Sequence, residues 1–262
     1  MEKFRIGFGA PLDKMLYCNS IGADYFEVDL RQINALSDDE LEELLKLIRE
    51  KNITIEAGKN FIPGIYKLTV DEPDFDAIDD FLDKTLNRAS KLGIKVVVMG
   101  SAAARDYPEG VTYEQAFDRL VFFFKNHMVP ACSKYGIVCA IENLSYGESN
   151  ILNTIEESYN IVKAVDSEWI KILVDFYHFG HNKDSFDSIR KAKDYIVHTH
   201  FASVVNNREY PVPEADTADC KAWIDLLREI GYKGRLSFEA HEGEGQQFSD
   251  AAKISLDMFR AL

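Results

Sequence analysis

No window of the sequence approaches the ~18 consecutive apolar residues of a membrane span. The opening residues, MEKFRIGFGAPLDK, also lack the apolar core of a signal peptide. Both absences predict a soluble, cytoplasmic protein with no membrane partner. Positive charge is short as well: 30 Lys and Arg face 44 Asp and Glu, a formal net charge of −14, which repels phosphate backbones and anionic lipid alike and disfavours nucleic acid as a partner. Only four cysteines occur, Cys18, Cys132, Cys139 and Cys220, without any C-x-x-C spacing. That excludes a cysteine zinc site and a disulfide framework and predicts buried free thiols. No GxGxxG follows the first strand-like run and no P-loop occurs, which removes support for nucleotide-binding open sheets. No low-complexity linker divides the chain.

What is present is a regular alternation. Eight β-rich runs recur: FRIGFG from Phe4, DYFEVDL from Asp24, ITIEAG from Ile53, IKVVVMG from Ile94, IVCAIEN from Ile137, IKILVDF from Ile170, YIVHTH from Tyr195 and RLSFEAH from Arg235. Between them lie helical segments with start signals: Ser37 with Glu40, Thr112 with Gln115 and Thr154 with Glu157 each fit a capping box. Ile21-Gly22, Leu92-Gly93, Tyr135-Gly136 and Ile230-Gly231 each place a glycine suited to a left-handed helix stop just before the next strand. Strict strand–helix alternation implies parallel strands joined by crossovers, and eight units can close on themselves. The 262 residues, 46% hydrophobic, match the ~250 that such a barrel takes. The expected fold class is α/β, a single (β/α)8 TIM barrel forming one domain over residues 1–262. An open doubly wound sheet is the alternative.

In a parallel barrel the active site forms at the carboxyl ends of the strands, and the last four runs all end in chemistry: Glu142, Asp175, His200 and Glu239. Strand parity points these inward together with Ala140, Leu173, His198 and Ser237, while the apolar residues between them face the helices. Three carboxylates and an imidazole at one barrel mouth would be costly to bury unpaired, and a shared divalent cation removes that cost. The mixed, fairly hard ligand set suits manganese first, then magnesium or cobalt, and admits zinc or iron.

The motifs IENLSYGE at 141–148, VDFYH at 174–178, HTHFASVVNNREYP from His198 and SFEAH at 237–241 resemble the xylose isomerase-like superfamily of sugar isomerases and epimerases. Ketose 3-epimerases and hydroxypyruvate isomerases in it are most similar in size and motif. The resemblance implies that Glu142, Asp175, His200 and Glu239 hold the metal. It also implies that Glu142 and Glu239 are the catalytic pair moving a proton on opposite faces of the substrate, and that Glu148, His178 and Arg208 bind substrate oxygens. The chemistry agrees, since a metal chelating a carbonyl and its neighbouring hydroxyl acidifies the C–H between them and stabilises a cis-enediolate. Reprotonation on the opposite face gives an epimer; reprotonation at the neighbouring carbon gives an aldose–ketose isomer. The expected partner is a small-molecule sugar or keto acid, and a homodimer or homotetramer is expected. The sequence departs from the ketose 3-epimerase pattern at Ser145 and Tyr146, where asparagine and arginine would stand, and at Ala202-Ser203.

His178 would donate to the developing enediolate, and Arg208 would clamp an oxygen pair with its planar fork. Glu27 and Glu56 are also read as ending strands, and are assigned to solvation or helix capping rather than to catalysis. His198 is expected to orient a ligand carboxylate, and His127 to be structural. In the loop HEGEGQQ, Glu242 and Glu244 would repel a phosphate, favouring an unphosphorylated substrate. Three rival readings use the same barrel: a metal-dependent dehydratase of a keto-polyol or cyclic keto acid, an apurinic-site endonuclease and a non-catalytic sugar-binding barrel. The endonuclease fits six histidines and a charge of −14 badly.

Overall fold

A computed structural model describes residues 3–262. Eight strands, β1 (Arg5–Gly9), β2 (Tyr25–Asp29), β3 (Ile55–Lys59), β4 (Val96–Met99), β5 (Val138–Glu142), β6 (Ile170–Asp175), β7 (Ile196–Phe201) and β8 (Arg235–Phe238), pair in sequence order, all parallel, and β8 closes on β1. Each predicted run overlaps one of these strands, with β3 and β7 running one residue further, to Lys59 and Phe201, so the closed barrel, rather than the open sheet, is the fold. No helix among the described residues is long and apolar enough to cross a membrane.

The helices begin and end where the local chemistry directs. All three capping boxes form, with both the side-chain and backbone halves in place, satisfying donors that a helix start would otherwise leave bare. The four helix-stopping glycines all take positive φ, from 64° at Gly136 to 87° at Gly22 and Gly93, which a side chain would resist. The helix Asp38–Glu50 shows how such a segment is fixed to the barrel. Leu41, Leu44, Leu45 and Ile48 recur on one face and are buried, each worth roughly 1.5–3 kcal/mol of burial, so Leu41→Ala would cost on the order of 2–5 kcal/mol.

Strand parity sorts the residues into two cores. Cys139, Ile141, Ile172, Val174, Phe201, Leu236 and Phe238 face outward into the shell beneath the helices, whereas Ala140 and Leu173 join Val96 and Val98 inside the barrel. The inward alternation predicted for β5 and β6 is therefore present. The register staggers the inward residues: Glu142 pairs with Leu173, Asp175 with His200, and His200 with Ser237. This slant gathers the ends of β5 to β8 at one mouth. At the opposite end Glu56 is held between Arg5 and Arg235. The sequence reading of Glu56 as a strand-ending, solvated acid is thus corrected: β3 continues to Lys59, and Glu56 closes the amino end of the barrel with ion pairs. All four cysteines are buried free thiols.

Candidate active site

Asp175 ends β6 and caps the short helix Phe176–Asn182, its Oδ1 accepting from the His178 backbone N–H at 3.0 Å. His178 therefore lies in the first turn of a helix rather than on the loop expected from the sequence. Its Nδ1 accepts from the Ser145 backbone N–H at 3.1 Å, with the Ser145 hydroxyl at 2.6 Å. A backbone N–H can only donate, so the ring proton sits on Nε2. That nitrogen is buried without a protein partner, 4.0 Å from Asp175 Oδ2. The backbone N–H of residue 145, not its side chain, thus fixes the tautomer of His178.

Around His200 Nδ1 the three carboxylates converge: Glu142 Oε1 at 3.1 Å, Glu239 Oε2 at 3.4 Å and Asp175 Oδ2 at 3.8 Å. One ligand atom from each of the four residues lies within 4.8 Å of all the others. Glu239 stands one residue past β8, its backbone N–H bonded to Phe201 O at 3.2 Å. Gly100 makes the space on the Glu142 side, since a Cβ there would fall 1.6 Å from Glu142 Oε2. Two buried acids and a third, Glu239, only partly exposed, around one imidazole nitrogen are a donor set without enough positive charge of its own. A divalent cation fits it, with oxygen ligands dominant.

The two glutamates differ in their surroundings. Burial raises the pKa of Glu142, and nearby Glu239 and Asp175 add to this against the opposing pull of His200. Burial also works against charge on Glu239, but Lys59, His200 and Arg208 outweigh it and hold its pKa well below the usual carboxylate range. Lys59 Nζ lies 3.1 Å from Glu239 Oε1, and Arg208 donates to Oε2 at 2.8 Å. Arg208 sits in the loop after β7 at φ 72°, packs over the Tyr177 ring at 5.3 Å and lies 3.6 Å from Glu148. Glu148 is half exposed and accepts weakly from the Ser145 hydroxyl at 3.4 Å. All seven sequence-predicted site residues are therefore brought to one mouth.

Three contributors escaped the sequence reading. Lys59 ends β3 with the inward parity of the ligands, but it lies one residue past the run ITIEAG and is neither an acid nor a histidine. Arg105, fully buried in the short helix Ala102–Arg105, donates to the carbonyls of Glu142 (2.8 Å), Met99 and Leu152; burial pushes its guanidinium down to about 10. Nothing in the local sequence marks it. Glu27 is the third, and its assignment to solvation or capping is corrected. It is wholly buried in mid-strand, bonded to His198 and His200, while Asp29 caps the next helix. His198 accordingly meets Glu27, not a ligand carboxylate. His127 is structural as expected, stacked at 4.0 Å on Phe75 and paired with Asp79.

Residues 16–262 match the family model described as Xylose isomerase-like TIM barrel. A D-psicose 3-epimerase of Agrobacterium fabrum is 27% identical over 260 residues, covering 96% of this chain and 85% of its own. An inosose isomerase of Halalkalibacterium halodurans is 23% identical over 258 residues, covering 92% of this chain and 87% of its own. Among solved structures, the apo 3-keto-D-glucoside 4-epimerase of E. coli aligns with a TM-score of 0.83 at 18% identity, covering 99% of this chain and 100% of that one.

Proposed function

Because the chain is an isomerase of the xylose isomerase-like TIM barrel family, we propose that it epimerises or isomerises a small unphosphorylated ketose or related keto compound. In this reading Glu142, Asp175, His200 and Glu239 hold one divalent cation, manganese before magnesium, cobalt or zinc. The observation that carries the reading is the convergence of Glu142 and Glu239, on β5 and beyond β8, upon the same His200 nitrogen at 3.1 and 3.4 Å.

When bound, the cation supplies Lewis-acid polarisation of a carbonyl and its neighbouring hydroxyl, acidifying the C–H between them. The remaining work falls to the chain. Glu239, kept ionised by Lys59 and Arg208, is the base that takes the proton from one face. Glu142, whose burial favours its neutral form, returns a proton to the other, and the roles exchange in reverse. Loss of that one proton leaves a cis-enediolate whose negative charge develops on the former carbonyl oxygen, and the unpartnered His178 Nε2–H donates to it. Arg208 and Glu148, 3.6 Å apart at the rim, hold further substrate oxygens.

The test is a screen of the manganese- or magnesium-loaded protein against ketoses, aldoses and keto acids in heavy water, followed by proton NMR. Deuterium entering one carbon next to a carbonyl, with a new epimer or isomer, supports the reading. Loss of a hydroxyl instead identifies a dehydratase. No exchange into any compound class sinks the proposal.

A further inference from the structure

Behind the four proposed ligands lies a second buried group, Glu27 with His198, which the proton transfer does not use. We propose that Glu27 is a positioning residue that selects the tautomer of His200 and so makes Nδ1 the ligating nitrogen. This rests on the metal reading above.

The geometry is that of one carboxylate taking two imidazole N–H groups. His200 Nε2 lies 3.1 Å from Glu27 Oε1 and 3.2 Å from Oε2, and His198 Nε2 lies 3.1 Å from Oε2. All three side chains are closed off from solvent.

A neutral imidazole carries its proton on one nitrogen, and only the bare nitrogen binds a cation. His200 presents Nδ1 to Glu142, Glu239 and Asp175 and Nε2 to Glu27. An acceptor at Nε2 keeps the proton there and leaves the Nδ1 lone pair for the metal, as carboxylates behind histidine ligands commonly do. Burying Glu27 ionised is costly unless its oxygens are satisfied, and His198 supplies the second donor. His198 Nδ1 has no partner, which fits a ring whose only proton is on Nε2.

Glu27, His198 and His200 are also close enough together to hold a cation themselves, so stoichiometry separates the alternatives. The metal-depleted full-length protein is titrated with Co2+ by calorimetry and visible absorption. The wild type is expected to bind one cobalt, and Glu27→Gln to bind it roughly 10- to 100-fold more weakly with a changed visible band; Glu27→Asp is expected to recover part of the loss. In parallel, 15N-histidine NMR of the Zn2+-loaded wild type reads the tautomer directly and does not depend on any variant folding. A proton on His200 Nε2 supports the proposal. A proton on Nδ1, unchanged cobalt affinity in Glu27→Gln, or two cobalt ions per wild-type chain would each overturn it and leave the single-metal isomerase reading or a revised metal count to stand separately. A wild type that binds no cobalt removes the metal reading and this inference with it.

Discussion

Glu142 and Glu239 look like equivalents in the sequence, each ending an inward-facing strand run, yet the barrel gives them opposite surroundings. The Glu239 carboxylate lies between two cations, Lys59 on Oε1 and Arg208 on Oε2. Among the described residues no lysine or arginine is in ion-pair range of the Glu142 carboxylate; Arg105 reaches only its backbone carbonyl, and Gly100 leaves its Oε2 room. One acid is therefore stabilised as a carboxylate and the other is pushed toward its neutral form. Acid and base assignments follow from such separations rather than from residue type.

The largest expected effect tests whether the two acids serve opposite faces. Glu142→Gln and Glu239→Gln should each lower epimerisation by about 10²- to 10⁴-fold, the usual worth of a placed acid–base group. Residual deuterium exchange should persist in each variant for one epimer only, and for opposite epimers in the two. NMR of each purified epimer in heavy water reads this, and exchange into the same epimer in both variants would break the comparison.

Gly100→Ala sharpens it from the Glu142 side alone. The added methyl cannot coexist with the present position of Glu142 Oε2, so the carboxylate must move. A shift of about 1 Å in a reacting group can cost on the order of 10²-fold. Steady-state kinetics should show that loss mainly in kcat, with the far-ultraviolet circular dichroism unchanged. Activity within a factor of two of wild type would show that the Glu142 position is not critical.

Next comes the stability of the metal-free protein. Glu239→Gln removes the acid between Lys59 and Arg208, leaving Arg208 only its longer pair with Glu148, and should cost about 2 kcal/mol. Urea unfolding with chelator present measures it. No loss would mean that the cation clamp contributes nothing in the absence of metal.

The barrel was legible because its signals are local and redundant. Three capping boxes and four helix-stopping glycines set the periodicity, and inward parity alone points Glu142, Asp175 and His200 into the barrel. Glu27 and Glu56 show where that logic ends. Both are acids in strands read as strand-terminal, but which end of a barrel an acid occupies depends on the exact strand boundaries and the stagger. Here these put Glu56 against Arg5 and Arg235 at the closed end, and Glu27 beneath the ligands. Lys59 escaped for a related reason, a strand one residue longer than its apolar pattern. Arg105 was invisible because its partners are carbonyls from β4, β5 and the loop after it, which no sequence spacing encodes.

The smallest expected effect has the opposite sign to that of Glu239→Gln. Burial, with the neighbouring acids, raises the Glu142 pKa in the fold above its ordinary value. Its ionisation therefore opposes folding, a cost fully present above the raised folded pKa and absent below the unfolded value near 4.3. A glutamine carries no such cost, and its amide N–H can donate to the bare His200 Nδ1. Glu142→Gln should thus stabilise the metal-free protein by about 1 kcal/mol at pH 7. The gain should shrink as pH falls through the folded pKa and vanish near pH 4.3, the reverse of a salt-bridged acid. Urea titrations at several pH values, chelator present, follow the difference between variant and wild type. A gain that is constant with pH would assign the effect to packing, and a loss at pH 7 would show that the Glu142 carboxylate is stabilised in the fold as Glu239 is.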